Sequence, residues 1–304
     1  MGISNMLGMW NKDDKIIVAT HGEDIDGIAS VALILRVFPN ATFIFTRPAD
    51  VKSISSHINI SVDLPKPKNC DINIDHHKSN YYNLTKTGNL TDRDLVDPAA
   101  ISAAELVSRY FGLNDEISKQ LVDMANRADS GNMDEKLIML DLLIKSNVGD
   151  QVVLRWIVEK LSKLGYAIFD DPEFCVKLDE LRPLAMEAKK IVGIVDEILK
   201  RGIKVAIFDA TQIPYAISRV APTVYVKKGG YVALSFYIEP DTGRKKVSIR
   251  VGDFNFRANE LASKFGGGGH EKAAGVAFKG ELRFSMFIKE FIDAVGMPVL
   301  YVKL

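Results

Sequence analysis

A chain of 304 residues is longer than one average domain and long enough for two, each with its own core. It is 47% hydrophobic and 26% charged, and its 39 Lys and Arg balance 39 Asp and Glu, which excludes a uniformly basic nucleic-acid coat protein while leaving room for a local basic groove. Two cysteines, Cys70 and Cys175, exclude a disulfide framework, residues 1–10 carry no leader pattern, and the longest charge-free apolar run, 27–35, is half the ~18 residues a membrane helix needs; a cytoplasmic protein with no membrane partner is expected.

Residues 15–20 (KIIVAT) form a β-rich run that stops at polar His21-Gly22-Glu23-Asp24. An amphipathic helix is predicted over 25–38, stopped by Pro39-Asn40. Strands follow at 41–46, 59–62 and 71–74, with a helix over 48–57 between the first two. This alternation argues for a parallel sheet with helices on its faces. From Pro98 the pattern is helical: a helix begins at Asp97-Pro98 and runs to Gly112, and others cover 116–127, 135–145, 151–164 and 172–200. Arg201-Gly202 ends the last and marks a boundary. Beyond it, 203–208, 224–227, 231–238 and 246–251 are strand-like, with hairpin turns at Gly229-Gly230 and at 240–243. A helix over 255–264, a strand at 275–278 and a final helix over 282–295 complete a smaller α+β domain.

Three of the five histidines lie among aspartates. His21, Asp24 and Asp26 share the turn after the first strand; Asp63 ends the third strand, and Asp75, His76 and His77 end the fourth. Ligands of open parallel sheets bind outside the carboxyl ends of the strands, so three segments deliver carboxylates and imidazoles to one edge. Singly, an Asp at a strand end is as readily a cap or turn former. Crowded together, these groups repel one another unless a cation holds them. Imidazole mixed with carboxylate and no thiolate suits a divalent metal, and so many ligands point to two ions sharing one Asp, an arrangement that hydrolyses phosphoesters.

The motifs His21-x-x-Asp24-x-Asp26-Gly27, Asp63, Asp75-His76-His77 and Asp129, followed by Phe265, four glycines, His270 and the run Ala273-Ala274-Gly275, resemble the DHH phosphoesterase superfamily and its associated C-terminal domain. The resemblance covers most of the chain. His21 and Asp24 are separated by two residues, a spacing between those of the nano-RNase and exonuclease branches. The resemblance implies an α/β DHH domain with a parallel sheet and helical extension over 1–185, a linker helix over 186–202 and a smaller α+β substrate-binding domain over 203–304. It implies that His21, Asp24 and Asp63 hold one metal and that Asp26, Asp63, His76 and Asp129 hold the other. The ions would be Mn²⁺, with Co²⁺, Mg²⁺ or Zn²⁺ as substitutes. His77 would face the scissile phosphate and Asp75 would orient a ligating imidazole.

Gly266, Gly267, Gly268 and Gly269 follow a helix and precede a strand, the reverse of a dinucleotide loop, and let backbone N–H groups approach an anion. With His270 and Arg250 they would hold the non-reacting part of the substrate. His57 matches no motif and reads as a surface residue; Phe254, Phe256 and Phe265 read as core. The expected function is hydrolysis of short nucleotides: di- to penta-ribonucleotides, linear dinucleotides or 3′-phosphoadenosine 5′-phosphate, with no long duplex bound and a homodimer compatible. The rival readings are a polyphosphate or pyrophosphate hydrolase and a non-catalytic nucleotide sensor.

Overall fold

The computed structural model describes residues 10–240 and 242–304, so most of the stretch 1–10 lies outside the described residues, as does Asp241 of the turn at 240–243. The chain divides into two compact units, Met1–Glu180 and Leu181–Leu304. No helix among the described residues is long and apolar enough to cross a membrane. Cys70 and Cys175 are free thiols.

The first unit is built on five parallel strands: β1 (Ile17–His21), β2 (Thr42–Thr46), β3 (Ile58–Val62), β4 (Cys70–Asp75) and β5 (Leu95–Val96), in the order β2-β1-β3-β4-β5. Helix α1 (Ile25–Val37) follows β1 and buries every residue from Ile25 to Ile34. It is apolar almost all round because α3 (Ala103–Phe111), α4 (Glu116–Asp129) and α6 (Gln151–Leu164) pack around it. Helices α2 (Lys78–Thr87), α5 (Glu135–Ser146) and α7 (Pro172–Asp179) complete the unit.

Three local expectations fail here, each for a physical reason. The helix expected over 48–57 is a single 3₁₀ turn, Val51–Ser53, because Val51 alone of that turn is buried and too little apolar surface is available to hold a longer helix. Helix α3 starts at Ala103, not at Asp97-Pro98. Asp97 makes a turn by accepting from the Ala99 N–H (3.0 Å), whereas Ser102 caps the helix by accepting from Glu105 N–H (3.1 Å), with Glu105 reaching back to the Ile101 N–H (3.2 Å). The stretch 172–200 is two helices, α7 and α8 (Arg182–Lys200), because Pro183 fits a first turn and not a helix interior. Helix α2 and the two-residue strand β5 had no counterpart in the sequence pattern.

The second unit carries a six-stranded sheet of β6 (Val205–Asp209), β7 (Val232–Ile238), β8 (Lys245–Val251), β9 (Gly268–His270), β10 (Ala273–Phe278) and β11 (Leu300–Lys303), in the order β11-β6-β7-β8-β10-β9. β11, β6 and β7 are parallel; the remaining pairs are antiparallel. Helices α9 (Val220–Lys227), α10 (Ala258–Lys264) and α11 (Glu281–Val295) accompany α8, so the segment expected as a linker belongs with this unit. The strand expected at 224–227 is the end of α9. There Ala221 and Tyr225, four apart, bury one helical face and the Tyr225 hydroxyl donates to Ile203 C=O (2.9 Å). Gly229-Gly230 therefore joins a helix to β7, not two hairpin strands. Phe265 is buried in the core of this unit, and Phe254 and Phe256 pack against it.

The turn from β1 into α1 has one steric requirement: a Cβ on Gly27 would lie 2.0 Å from the His21 carbonyl oxygen. Gly27→Ala is expected to destabilise the protein by about 1–3 kcal/mol, because the first turn of a fully packed helix must shift. Denaturant titration of both proteins measures this; equal midpoints would contradict the packing described.

Candidate metal centre

Parallel register brings the ends of β1, β3 and β4 side by side. Thr20 pairs with Val62 and Val62 with Ile74, so His21, Asp63 and Asp75, one residue further on, project from neighbouring strand ends. The strand order reverses between β1 and β3, the place where an open parallel sheet forms its crevice. Asp24 caps α1 by accepting from the Gly27 N–H (3.2 Å) while its other oxygen meets His21 Nδ1 at 2.9 Å. Capping and site formation are the same act.

Two groups of donors result. Ligand atoms of His21, Asp24 and Asp63 lie within 4.8 Å of one another, as do those of Asp26, His76 and Asp129. Asp63 lies between them: its Oδ2 is 3.8 Å from His21 Nδ1, and its Oδ1 is 3.8 Å from His76 Nε2. Asp63 Oδ1 is buried without a hydrogen bond. Its backbone has φ 55°, the one positive φ of a non-glycine residue among the described residues. That conformation is uncommon for a residue with a Cβ and best tolerated by Asp and Asn.

Asp26 is 1% exposed, and its two oxygens accept from the Ala103 and Ala104 N–H groups at 2.7 and 2.8 Å, the first turn of α3. Asp129 is the last residue of α4, 3.3 Å from His76 Nε2. His77 Nδ1 donates to Asp75 Oδ1 at 2.8 Å, so Asp75 orients His77, not His76. Asp75 is held in turn by Asn80, whose amide donates to its Oδ2 at 2.7 Å.

Sequence reading passed over three residues here. Asn80 is buried, but its signal, one Asn five residues after Asp75, is faint in a polar helix. Glu23, taken as a spacer, is 2% exposed, 3.5 Å from His21 Nε2 and bonded to the buried Arg47 (2.7 Å). A Glu inside a site-forming turn and a distant Arg carry no periodic signal that pairs them. His57 lies on the surface, 2.9 Å from Asp71, outside these groups.

The electrostatics fit a cation. Burial raises Asp63 well above the ordinary carboxylate range, and Asp26, Asp24, Asp75 and Asp129 push it further. Burial likewise raises Asp129, aided by Asp26 and Asp24, and lifts Asp26 to about 7. Burial lowers His76, and His77 lowers it again. Burial would lower His21 too, but Asp24 and Glu23 overcome it and hold the imidazolium to about 10; Asp24, despite its own burial, is held low by His21. Protons here stand where positive charge is needed, and the orphaned Asp63 Oδ1 among carboxylates and imidazoles suits a divalent ion.

In the second unit, Arg250, Ala273 and His270 are register partners across β8, β10 and β9, so their side chains share one face with only a methyl group between the two larger ones. Burial lowers the Arg250 guanidinium to about 10, and neighbouring Arg219, which no motif marked, lowers it with a like charge. The glycines divide by cause. A Cβ on Gly267 would meet Gly275 C=O at 2.1 Å and one on Gly269 would meet Ala273 C=O at 2.5 Å, so these two permit the approach of β9 to β10; Gly266 has φ 81°. Gly268 has open space where its Cβ would stand and needs no special φ.

Residues 200–297 match the model of the DHHA1 domain. No curated protein matches the chain. Among solved structures, a pGpG-specific phosphodiesterase from Vibrio cholerae, PggH, superposes with a TM-score of 0.57 at 17% identity, over 93% of this chain and 99% of that one. The Mn²⁺ complex of RecJ from Thermus thermophilus gives 0.58 at 16%, over 99% of this chain and 55% of that one. An exopolyphosphatase-related protein from Bacteroides fragilis gives 0.51 at 17%, over 97% of each chain.

The displaced pKa values set a stability profile. A group raised in the folded state stabilises fully below its unfolded pKa and loses that contribution as pH climbs through the folded value. Asp26, raised from 3.8 to about 7, loses its contribution from about pH 4 to 7, and His21, raised from 6.5 to about 10, from about pH 6.5 upward, so that between them the metal-free fold becomes less stable from pH 5 to 8. The Tm of EDTA-treated protein is expected to fall across that interval, and saturating Mn²⁺ to flatten the fall by replacing the protons. Scanning calorimetry at several pH values checks this; a metal-free Tm that rises toward pH 8 would refute the electrostatic account.

Proposed function

We propose, for a chain that is a DHH-superfamily protein by its fold and its DHHA1 domain, that it hydrolyses phosphoester bonds of short nucleotides with two divalent ions, preferably Mn²⁺. The observation that carries this reading is the position of Asp63, with one buried oxygen toward His21 and the other toward His76. His21, Asp24 and Asp63 hold one ion; Asp26, His76, Asp129 and Asp63 hold the other. When bound, the ions supply a water nucleophile at neutral pH and offset charge on the phosphoryl oxygens.

The chain's own residues do the rest. The N–H groups at the start of α3 fix the plane of Asp26, so its remaining lone pairs have one direction. Glu23, held by Arg47, steadies the His21 ring. Asn80 fixes Asp75, and Asp75 accepts the Nδ1 proton of His77, leaving Nε2 for the substrate. Burial works against the His77 cation, but Asp75 outweighs it and raises the imidazole, so that Nε2 holds a proton more readily and can donate it in a hydrogen bond to a phosphoryl oxygen as negative charge develops there. Arg250, the backbone of Gly266, Gly267, Gly268 and Gly269, and His270 bind the phosphate or sugar beyond the scissile bond. A neighbour that cleaves pGpG and spans the same two units supports a short nucleotide substrate.

Chelation is expected to abolish turnover of a 5′-labelled dinucleotide, and Mn²⁺ to restore it. Asp63→Ala removes the shared ligand and is expected to erase activity, while Asp75→Asn costs about 10–100-fold through His77. Full turnover after exhaustive EDTA treatment would end the two-ion reading. A panel of dinucleotide, 3′-phosphoadenosine 5′-phosphate and inorganic polyphosphate identifies the substrate class; preference for polyphosphate would replace it. Gly268→Ala separates ligand from fold. It meets nothing in the protein, so the Tm is expected to hold while kcat/KM on a dinucleotide falls about tenfold or more. Unchanged kcat/KM would remove that backbone from recognition.

A further inference from the structure

Helix α8 presents a second stripe flanking its buried face. Ile191, Val195 and Ile198 are buried. Met186, Lys190, Gly193, Ile194, Glu197 and Arg201 recur at helical spacing on the outward side, within about 100° of arc. Met186 is 64% exposed and Ile194 40%. The stripe borders strand β11, the edge of its sheet, where Tyr301 is 57% exposed, and between helix and strand runs a groove of about 880 Å³. An apolar groove beside an unpaired strand edge is a surface that monomers rarely leave uncovered.

Gly193 is the second observation. A glycine inside a helix costs about 1 kcal/mol relative to alanine. Among the described residues a Cβ at Gly193 would meet nothing within 4 Å, so neither their packing nor φ explains it. A helix crossing closely at that point does.

The charges identify the other helix. When α8 is laid antiparallel on a copy of itself about a two-fold axis between Gly193 and Ile194, Lys190 faces Glu197 of the copy, and Glu197 faces Lys190. Gly193 receives Ile194, and Met186 packs along the aliphatic stem of Arg201. A two-fold contact must be self-complementary in this way, each pairing occurring twice. Glu197 is paired with Lys200 of its own helix at 2.7 Å, but both groups are 71% exposed, and such a pair is readily exchanged. We propose that the α8 stripe and the adjoining β11 edge form an interface with a second copy of this chain, with α8 packed antiparallel to its counterpart around Gly193 and Ile194.

One helical stripe about 24 Å long and one short strand make a small interface, so a reversible dimer dissociating in the micromolar range is expected. Sedimentation velocity of the full chain over about 1–100 µM reads it. Glu197→Lys places two lysines against each other at both ends of the contact and is expected to weaken association at least tenfold; Lys190→Glu does the same with two glutamates. The double variant Lys190→Glu/Glu197→Lys restores opposite charges and is expected to recover the dimer. Gly193→Leu, whose Cβ meets no described atom of the monomer within 4 Å, blocks the close approach and is also expected to yield monomer. Melting curves with and without Mn²⁺ confirm that each variant folds. A wild-type chain that stays monomeric overturns the proposal. So does a dimer indifferent to the single reversals, or a double variant no better than either single one.

Discussion

Like charge gathered by a parallel sheet is the constraint from which the first unit follows. Strands β1, β3 and β4 run the same way in a register that ends them together, and each ends on an acidic or imidazole side chain. Asp24, Asp26, Asp63 and Asp129 therefore share a region where burial already disfavours charge and where neighbouring carboxylates raise Asp26, Asp63 and Asp129 further. In the metal-free protein protons and the His21 imidazolium meet that demand. Two divalent ions would meet it more completely, and the buried, unbonded Oδ1 of Asp63 stands where a shared ligand is needed.

Around this repulsion lies a set of neutralising and aiming contacts that fix geometry. The α3 N-terminus donates two N–H groups to Asp26, and the positive end of a helix favours a carboxylate at that point. Arg47 reaches across from the end of β2 to hold Glu23 beside His21, and Asn80 reaches back from α2 to hold Asp75. These partners fix where each donor stands. The uncommon φ of Asp63 and the methyl-free position 27 belong to the same economy of space: the chain turns sharply at both points because the donors must converge.

The second unit divides its conspicuous residues between folding and recognition. Gly267 and Gly269 let β9 lie against β10, and the run would be read wrongly as wholly ligand-directed if they were ignored. Gly268, Arg250 and His270 remain for the proposed ligand. In the same way, α8 packs against α9 with its buried face, while Met186 and Ile194 on its neighbouring stripe stay exposed.

The sequence by itself determined the class of fold and showed which carboxylates and imidazoles stand at the strand ends, because strand alternation, helix periodicity and the composition of strand ends are local properties. His21, Asp24, Asp26, Asp63, Asp75 and His76 could be named together since a parallel sheet necessarily lines up its carboxyl ends. Local pattern misled where a distant contact decided the outcome. Residues 48–57 lacked a surface to pack on, α3 waited for Ser102 and Asp26, and Val224 to Lys227 became helix because Tyr225 had a buried place to fill. Glu23 with Arg47, and Asn80 with Asp75, were beyond sequence reasoning for the same reason. Each pair joins residues on different elements, and a hydrogen bond between them exists only after the sheet has set their distance. Tertiary structure alone decided that Asp75 serves His77 and that Asp63 turns its two oxygens to different partners, since both depend on side-chain directions that no spacing in the sequence encodes.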